Sequence, residues 1–412
     1  MYSADLVFSF VIVMSSLCNA MKQQAQQATN KKVAIIGAGA AGLCVGEAFQ
    51  QESAVSSFTI FEASSSVGGV WKQTKPMYRS LVTNLPVEVM EISQNFPFKK
   101  LSGTSFVRHL EVNSYLEDFA RDRDLLQHIK FDTKVTSIEP IYWNDADLKW
   151  RVSTSSRTLD TASGEGKEDE DKEEVDIFDN VVICNGHYSK PFTPVVPGVH
   201  AYTGRSLHSI DYDSDTTRQL YGGKRVLLLG ARSSAMDIAR EIAAVASSIY
   251  VSDRSLHLSD SVQQHYDGKL SHVGAVTCYK DGAFVFTDGS RATDVDVIVY
   301  CTGYEYDFPF FDRNSCHTTY SSGTVTSRDE NNDDDDTKIM VVDQGRAVLD
   351  VYQHIFHHRY PSLAFVGLPW SVVPFHMFYL QALWIAKVFS SKDQSLLHTE
   401  ETRQTWLTSH AG

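Results

Sequence analysis

The stretch that decides the fold is KKVAIIGAGAAGLCVGEAF, residues 31–49. It opens as a buried strand, VAII, and meets Gly37-x-Gly39-x-x-Gly42 before a helical pattern begins. Glycines at this spacing have separate jobs: a tight turn, close backbone approach to a pyrophosphate, and close packing of helix on strand. The helix N-terminus supplies N–H donors and a positive dipole end to phosphate oxygens. A lone glycine fingerprint is a weak signal. Here SFTIFE follows as a second strand and ends in Glu62, 25 residues after Gly37. A carboxylate at that place binds a ribose hydroxyl pair and repels a 2′-phosphate, which suits FAD or NAD and not NADP.

SSSVGGVWKQ then sets Gly68 and Gly69 before Val70 and Trp71. Paired glycines after the ribose acid suggest backbone lying against a further part of a long cofactor. Trp71 is either a ring that stacks there or a core aromatic.

A second strand–turn–helix unit is KRVLLLGARSSAMDIAREI, residues 224–242. Gly230 holds the place of the turn glycine, but Arg232 stands where the second glycine is called for. The unit's second strand, SSIYVSDRS (247–255), ends in Asp253-Arg254. A cation beside the strand end suits a 2′-phosphate. Two nucleotide units of opposite preference, one inserted in the other, imply an electron route between bound nucleotides. The protein reads as a flavoprotein that takes hydride from NADPH.

The fold class is therefore α/β, with two Rossmann-like dinucleotide-binding domains, the NADPH domain inserted into the FAD domain. Residues 31–196 and 296–412 are assigned to the FAD domain and 197–295 to the NADPH domain, with 1–30 outside both. Further along, 105–125 reads as an amphipathic helix, and 129–140 and 148–153 as strands. Residues 179–194 read as a buried strand entering a glycine turn, and 197–212 as a linker. A hairpin turning at Asp281-Gly282 spans 276–290. Residues 294–311 return a buried strand to a glycine turn, and 361–389 read as strand, loop and apolar helix.

Net charge at pH 7 is −14, which argues against a nucleic-acid binder. Most of it sits in two runs. Residues 163–176 hold eight acids against two bases, and 328–336 six acids against one base; both read as solvated loops. The six cysteines form no CxxC and no disulfide framework. Cys184 and Cys301 end apolar runs and read as core residues at strand ends. LVFSFVIVMSSLCNA near the N-terminus has signal-peptide length and ends in small residues, but Asp5 precedes it and no Lys or Arg does. It is too short to span a bilayer as a helix and reads as a signal or a short anchor, followed by a linker. Cytoplasm and endoplasmic reticulum both fit, and membrane contact is limited to this segment.

The motifs resemble those of the flavin-containing monooxygenases over roughly residues 31–390. The most specific element is Tyr202-x-Gly204-x-x-x-His208-Ser209-x-x-Tyr212. It is similar to the family's F-x-G-x-x-x-H-x-x-x-(Y/F) identifier, with Tyr for the first Phe. Related Baeyer–Villiger enzymes end this motif in Trp. Glu62 with Gly68-Gly69-x-Trp71, Thr83-Asn84, Asn95-Phe96-Pro97-Phe98, Cys301-Thr302-Gly303-Tyr304 and Gln381 with Trp384 also match. The likeness is nearest to the S-oxygenating members of plants and fungi.

The resemblance implies residue roles. FAD would lie on Gly37, Ala38, Gly39, Ala40, Ala41 and Gly42, on Glu62, on Gly69, Val70 and Trp71, on Thr83 and Asn84, and on Gln381. Val135 would touch adenine through its backbone. Gly204, His208 and Ser209 belong to the cofactor-binding identifier. His208 holds the linker by hydrogen bonds or moves protons. NADPH would lie on Gly230, Arg232, Ser234, Ala235, Met236 and Asp237, with Arg254 on the 2′-phosphate. Asn84, near the nicotinamide ribose, is the catalytic candidate.

The implied activity is that of an FAD-dependent NADPH monooxygenase of the N,N-dimethylaniline type. It passes oxygen from a C4a-hydroperoxyflavin to a soft nucleophile, a sulfide sulfur or an amine nitrogen. The partners are that small molecule and O2, and a homodimer is compatible. Alternatives are a Baeyer–Villiger or N-hydroxylating relative and a non-catalytic flavin-binding regulator; a disulfide reductase is disfavoured by the missing cysteine pair. The chain departs from the family at Arg232 and carries no C-terminal membrane anchor. No metal is implied: His354, His357 and His358 are spaced like helical ligands but read as surface or core histidines.

Overall fold

A computed structural model describes residues 31–52, 55–72, 75–93, 95–99, 103–142, 148–156, 172–254, 268–311, 342–343, 345–391 and 394–410. The signal-like segment, the first nine residues of the first acidic run, the whole second run, Cys18 and Cys316 lie outside them. The chain divides into two compact units. The first runs to Lys72, then takes Leu85–His187 and continues from Tyr306; the second takes residues up to Asn84 and Tyr188–Glu305.

In the first unit, β1 (Lys31–Ile36) lies inside a seven-stranded sheet. The order across it is Val351–Tyr352, Phe356–His357, Leu363–Phe365, Asn180–Ile183, β1, β2 (Val55–Phe61) and Ile129–Lys130. β1 is parallel to both neighbours. A central parallel strand is covered on both faces, and so reads as an unbroken apolar run. Val33 and Ile35 join the core on one face, Ala34 and Ile36 that on the other. Helix α1 (Ala40–Gln50) packs on the first face. So does the helix Pro374–Ser390, which starts on its proline, where a missing N–H costs nothing. Phe49 joins these layers, with ring centroids 6.2 Å from Phe58 and 6.3 Å from Phe389. Truncating such a side chain to alanine costs about 3–5 kcal/mol.

A three-stranded antiparallel sheet (Thr133–Tyr142, Leu148–Ser156, Lys172–Phe178) covers the other face with Ile138, Trp150, Val152 and Phe178. Its last strand corrects the reading of KEEVD as loop. Ladder pairing with Leu148–Ser156 outweighs the low strand propensity of these residues, which remain largely exposed on an edge strand, where charge is tolerated.

The second unit repeats the plan. β3 (Arg225–Leu229), α2 (Ser233–Ile242) and β4 (Ser248–Ser252) follow one another. The five-stranded sheet is parallel throughout, in the order Leu270–Val273, β4, β3, Val297–Tyr300, Arg205–His208. Val226 and Leu228 enter one core, Leu227 and Leu229 the other. The hairpin turns where expected, with Asp281 and Gly282 at φ 51° and 74°.

Three readings change. Residues 205–208, expected in a linker, are an edge strand paired with Val297–Tyr300. On its other edge Val297–Tyr300 pairs with β3, so the second unit extends to Glu305 instead of residue 295. It also begins at Tyr188: Phe192 donates its N–H to the Gly303 carbonyl (2.9 Å), and Tyr304–Glu305 pairs with Lys190–Pro191. Finally, the segment ending in Asn84 packs with this unit. Tyr78 and Leu81 enter its core, and the Ser80 hydroxyl donates to Glu241.

Candidate functional sites

The three fingerprint glycines separate by what the protein itself demands of them. Gly37 sits at φ 104°, and a β-carbon there would lie 2.7 Å from the Cys184 carbonyl oxygen. A β-carbon on Gly42 would overlap the Gly37 carbonyl oxygen. Both are structurally obligatory. Gly39 is different: its φ of −75° and ψ of −174° suit any residue, and a β-carbon would meet Gly69 alone among the described residues, at 3.5 Å from its Cα and 3.9 Å from its N, ordinary contacts. Neither backbone nor packing requires this glycine. What remains is the need to keep the space above the turn clear, and this is where α1 begins without a side-chain cap. First-turn N–H groups lack intrahelical acceptors and are natural donors to an anion.

Glu62 is the first residue after β2. Its carboxylate accepts from the Ala38 N–H (2.8 Å) and, on the other oxygen, from the Ser64 N–H (2.9 Å) and hydroxyl (2.7 Å). The Thr133 N–H donates to the Glu62 carbonyl (2.9 Å), which brings the strand bearing Val135 alongside. Val135 is buried, and its register shifts before Ser137. Gly69, Val70 and Trp71 form one 3-10 turn. Trp71 is half-buried, edge-on to Phe375 at 6.4 Å, and its carbonyl meets His109 Nδ1 at 3.2 Å. Ala40 and Ala41 open α1.

Among the described residues several buried polar atoms of this unit have no hydrogen-bond partner, and two of them are side-chain amide atoms on Gln381 and Asn113. Gln381 is wholly buried; its Oε1 accepts from the Gly367 N–H (3.0 Å), while its Nε2 has no partner among the described residues. Asn113 donates to Glu117 at 2.8 Å but leaves its Oδ1 unpaired, against Gly68. An unmade buried hydrogen bond costs about 1–3 kcal/mol. A cleared glycine cradle, an uncapped helix end and the orphaned Gln381 Nε2 are donors that fit a long phosphate-bearing cofactor, and Asn113 Oδ1 adds an acceptor.

The turn of the second unit has the same geometry. Gly230 sits at φ 105°, and a β-carbon there would overlap the Cys301 carbonyl oxygen. Cys184 and Cys301 are both buried, as expected, and each donates its N–H to the neighbouring strand's last residue: to Ile36 at 2.9 Å and to Leu229 at 2.8 Å. Burial pushes the Cys301 thiol up to about 12. Arg232, at φ −86° and ψ −170°, has the backbone of Gly39, and its side chain is exposed. The missing glycine therefore leaves the turn unchanged. Ser234, Ala235, Met236 and Asp237 form the first turns of α2, with Asp237 paired to Arg240 at 3.0 Å. Arg254 is exposed beside Asp253, whose carboxylate accepts from the Ala231 N–H (3.2 Å).

The identifier residues are mostly architectural. A β-carbon on Gly204 would overlap the Tyr202 hydroxyl. His208 accepts from the Ile210 N–H through Nδ1 (3.1 Å) and meets the Gly303 carbonyl through Nε2 (3.0 Å). Both nitrogens thus serve the main chain, leaving neither for a cofactor phosphate or a proton relay, and burial holds the ring's pKa down. Ser209 is buried and hydrogen-bonds the Tyr304 phenol. Thr83 is buried and Asn84 exposed. His354 lies in the turn of a tight hairpin and His357 in its second strand, not on a helix; His357 is buried and accepts from the Tyr360 N–H at 3.0 Å. Ser64, Asn113 and Glu241 escaped the sequence reading. Only Ser64, two residues past Glu62, carried a local turn signal.

Two glycine turns, each closed by a strand-end acid, define the class: a protein of two Rossmann-like units. The family model for flavin-binding monooxygenase-like proteins matches residues 30–269 and 259–322. The flavin-containing monooxygenase FMO GS-OX-like 2 of Arabidopsis thaliana is 34% identical over 392 residues, covering 88% of this chain and 75% of its own. FMO GS-OX-like 4 of the same plant is 35% identical over 386 residues, covering 87% and 76%. The solved structure of S-allyl-L-cysteine S-oxygenase from Allium sativum matches with a TM-score of 0.72 at 32% identity, covering 93% of this chain and 82% of that one. The chain belongs to the flavin-binding monooxygenases and is a flavin monooxygenase.

Proposed function

We propose that the protein is an NADPH- and O2-dependent FAD monooxygenase that oxygenates soft nucleophiles, sulfide sulfur foremost. The observation that carries the flavin site is Gly39, a glycine that the protein's own conformation does not require. The sulfur preference is supported by the likeness to the Allium sativum S-oxygenase at 32% identity. Amine nitrogen is the second substrate class.

The chemistry a bound flavin supplies is acceptance of two electrons from NADPH and their delivery to O2, one oxygen atom going to substrate and the other leaving as water. The residues of the chain have simpler tasks. The turn from Gly37 to Ala41 and the start of α1 hold the FAD pyrophosphate. Glu62 accepts from ribose hydroxyls. Val135, Gly69, Val70, Trp71 and the Gln381 amide line the rest of that cofactor. Ser234 to Asp237 and Arg254 hold the nicotinamide nucleotide. The Asn84 amide is held to be the donor that protects the reacting oxygen from loss as peroxide. A sulfide or amine is nucleophilic as it stands, so no acid–base dyad is assigned to the chain.

The test is stoichiometric. The purified flavoprotein, given NADPH, O2 and an alkyl cysteine sulfide, should form one S-oxide per NADPH consumed. NADPH oxidation that yields only hydrogen peroxide with every sulfide and amine tried would favour the non-catalytic or uncoupled reading.

A further inference from the structure

The two turns share a hydrogen bond that neither sequence announces. The Ala38 N–H donates to Glu62 and the Ala231 N–H to Asp253, at 2.8 and 3.2 Å. Each acid directly follows the strand whose last carbonyl accepts from the turn glycine: Gly37 N–H to Phe61 and Gly230 N–H to Ser252, both 2.8 Å. Asp253 therefore occupies, in the second turn, the place that Glu62 occupies in the first. A carboxylate at that place accepts from a ribose hydroxyl pair, and its charge opposes a 2′-phosphate. Arg254, exposed and next in the chain, offers that phosphate a fork of donors. The second turn thus carries recognition elements for both forms of the nucleotide on adjacent residues.

We propose that Asp253 sets nucleotide specificity here and that the site takes NAD(H) as well as NADP(H). The Asp253 carboxylate serves the free ribose hydroxyls of the first, and the Arg254 guanidinium the 2′-phosphate of the second. This rests on reading the second turn as the nicotinamide nucleotide site. A carboxylate and a phosphate a few ångströms apart at a partly exposed site repel enough to change affinity about ten-fold or more.

The experiment measures binding and not turnover. NADP⁺ and NAD⁺ are titrated calorimetrically into the flavin-loaded protein without substrate, for wild type, Asp253→Asn and Arg254→Ala. Asn keeps an oxygen for the Ala231 N–H while removing the charge, so the turn is preserved; equal melting temperatures check this. Wild type should bind both nucleotides with affinities within about ten-fold of each other. Asp253→Asn should tighten NADP⁺ and weaken NAD⁺, moving their ratio about ten-fold or more. Arg254→Ala should weaken NADP⁺ alone. A wider wild-type preference, or an unchanged ratio in Asp253→Asn, overturns the proposal while leaving the site assignment standing. Failure of wild type to bind either nucleotide contradicts the site assignment and, with it, the proposal.

Discussion

The Tyr212 phenol donates to the Glu241 carboxylate at 2.6 Å, and the other oxygen of that carboxylate accepts from the Ser80 hydroxyl. Tyr212 closes the family identifier, and Ser80 precedes Asn84 by four residues. One side chain of α2 therefore ties the identifier to the segment that ends in the catalytic candidate. Burial, and secondarily the bond to Glu241, raise the Tyr212 pKa, so the phenol stays a donor.

Glu241→Ala should leave the Ser80 hydroxyl without its acceptor and Tyr212 with only the Thr217 hydroxyl at 3.0 Å, and cost about 1–3 kcal/mol, read as a lowered urea midpoint. It should also lower the S-oxide formed per NADPH. Glu241→Gln should restore both, because its amide oxygen accepts from Tyr212 and its NH2 donates to Ser80. A Gln variant no better than Ala would show that charge, and not the paired hydrogen bonds, matters.

Asn84→Ala should keep NADPH oxidation but divert it to hydrogen peroxide. Loss of one aligned donor at a reacting oxygen is worth about 2–4 kcal/mol. Peroxide and S-oxide quantified side by side decide the matter; unchanged coupling removes Asn84 from the chemistry.

Arg232 presents an exposed guanidinium at the N-cap of α2, where the first unit has only glycine. Its charge should hold the nucleotide pyrophosphate, and exposed charges are screened beyond about 8–10 Å at physiological salt. NADP⁺ binding by Arg232→Gly should therefore fall less steeply with salt than binding by wild type. Identical slopes would place the guanidinium in solvent.

Burial, opposed in part by a hydrogen bond with the Gly367 backbone, lowers the His187 pKa to about 4. Its ring lies 4.1 Å from Trp370 and 5.4 Å from Tyr306. The folded state disfavours the proton, whereas the unfolded chain accepts it near pH 6.5. The contribution of His187 to stability is thus complete above about pH 6.5 and declines as the pH falls toward the folded value. Urea midpoints at pH 7.5 and 5 should diverge for wild type and converge for His187→Gln.

Much of this was legible in the sequence because local rules and tertiary structure agree at the two turns. Apolar runs buried on both faces, glycines forced by φ, and strand-end acids all speak at short range. The edge strands did not. Arg205–His208 is short, polar and mostly exposed, and only its ladder with Val297–Tyr300 makes it a strand. Lys172–Phe178 carries its charges outward and looks like loop until its partner is known. The allegiance of residues 75–84 to the second unit, set by Tyr78, Ser80 and Leu81, is likewise a long-range fact. The helix Glu400–His410 lies past the last apolar pattern and carries little amphipathic signal.

Gly39 is kept for a cofactor, while Gly37 and Gly42 are kept for the fold. This division is tested most directly by comparing Gly39→Ala with Gly42→Ala in flavin-free protein, measuring thermal melting and then FAD affinity. Gly39→Ala should melt with the wild type, since its methyl meets nothing closer than 3.5 Å, yet bind FAD at least about ten-fold more weakly. Gly42→Ala should melt lower before any flavin is added. A Gly39→Ala protein with wild-type FAD affinity would contradict the account.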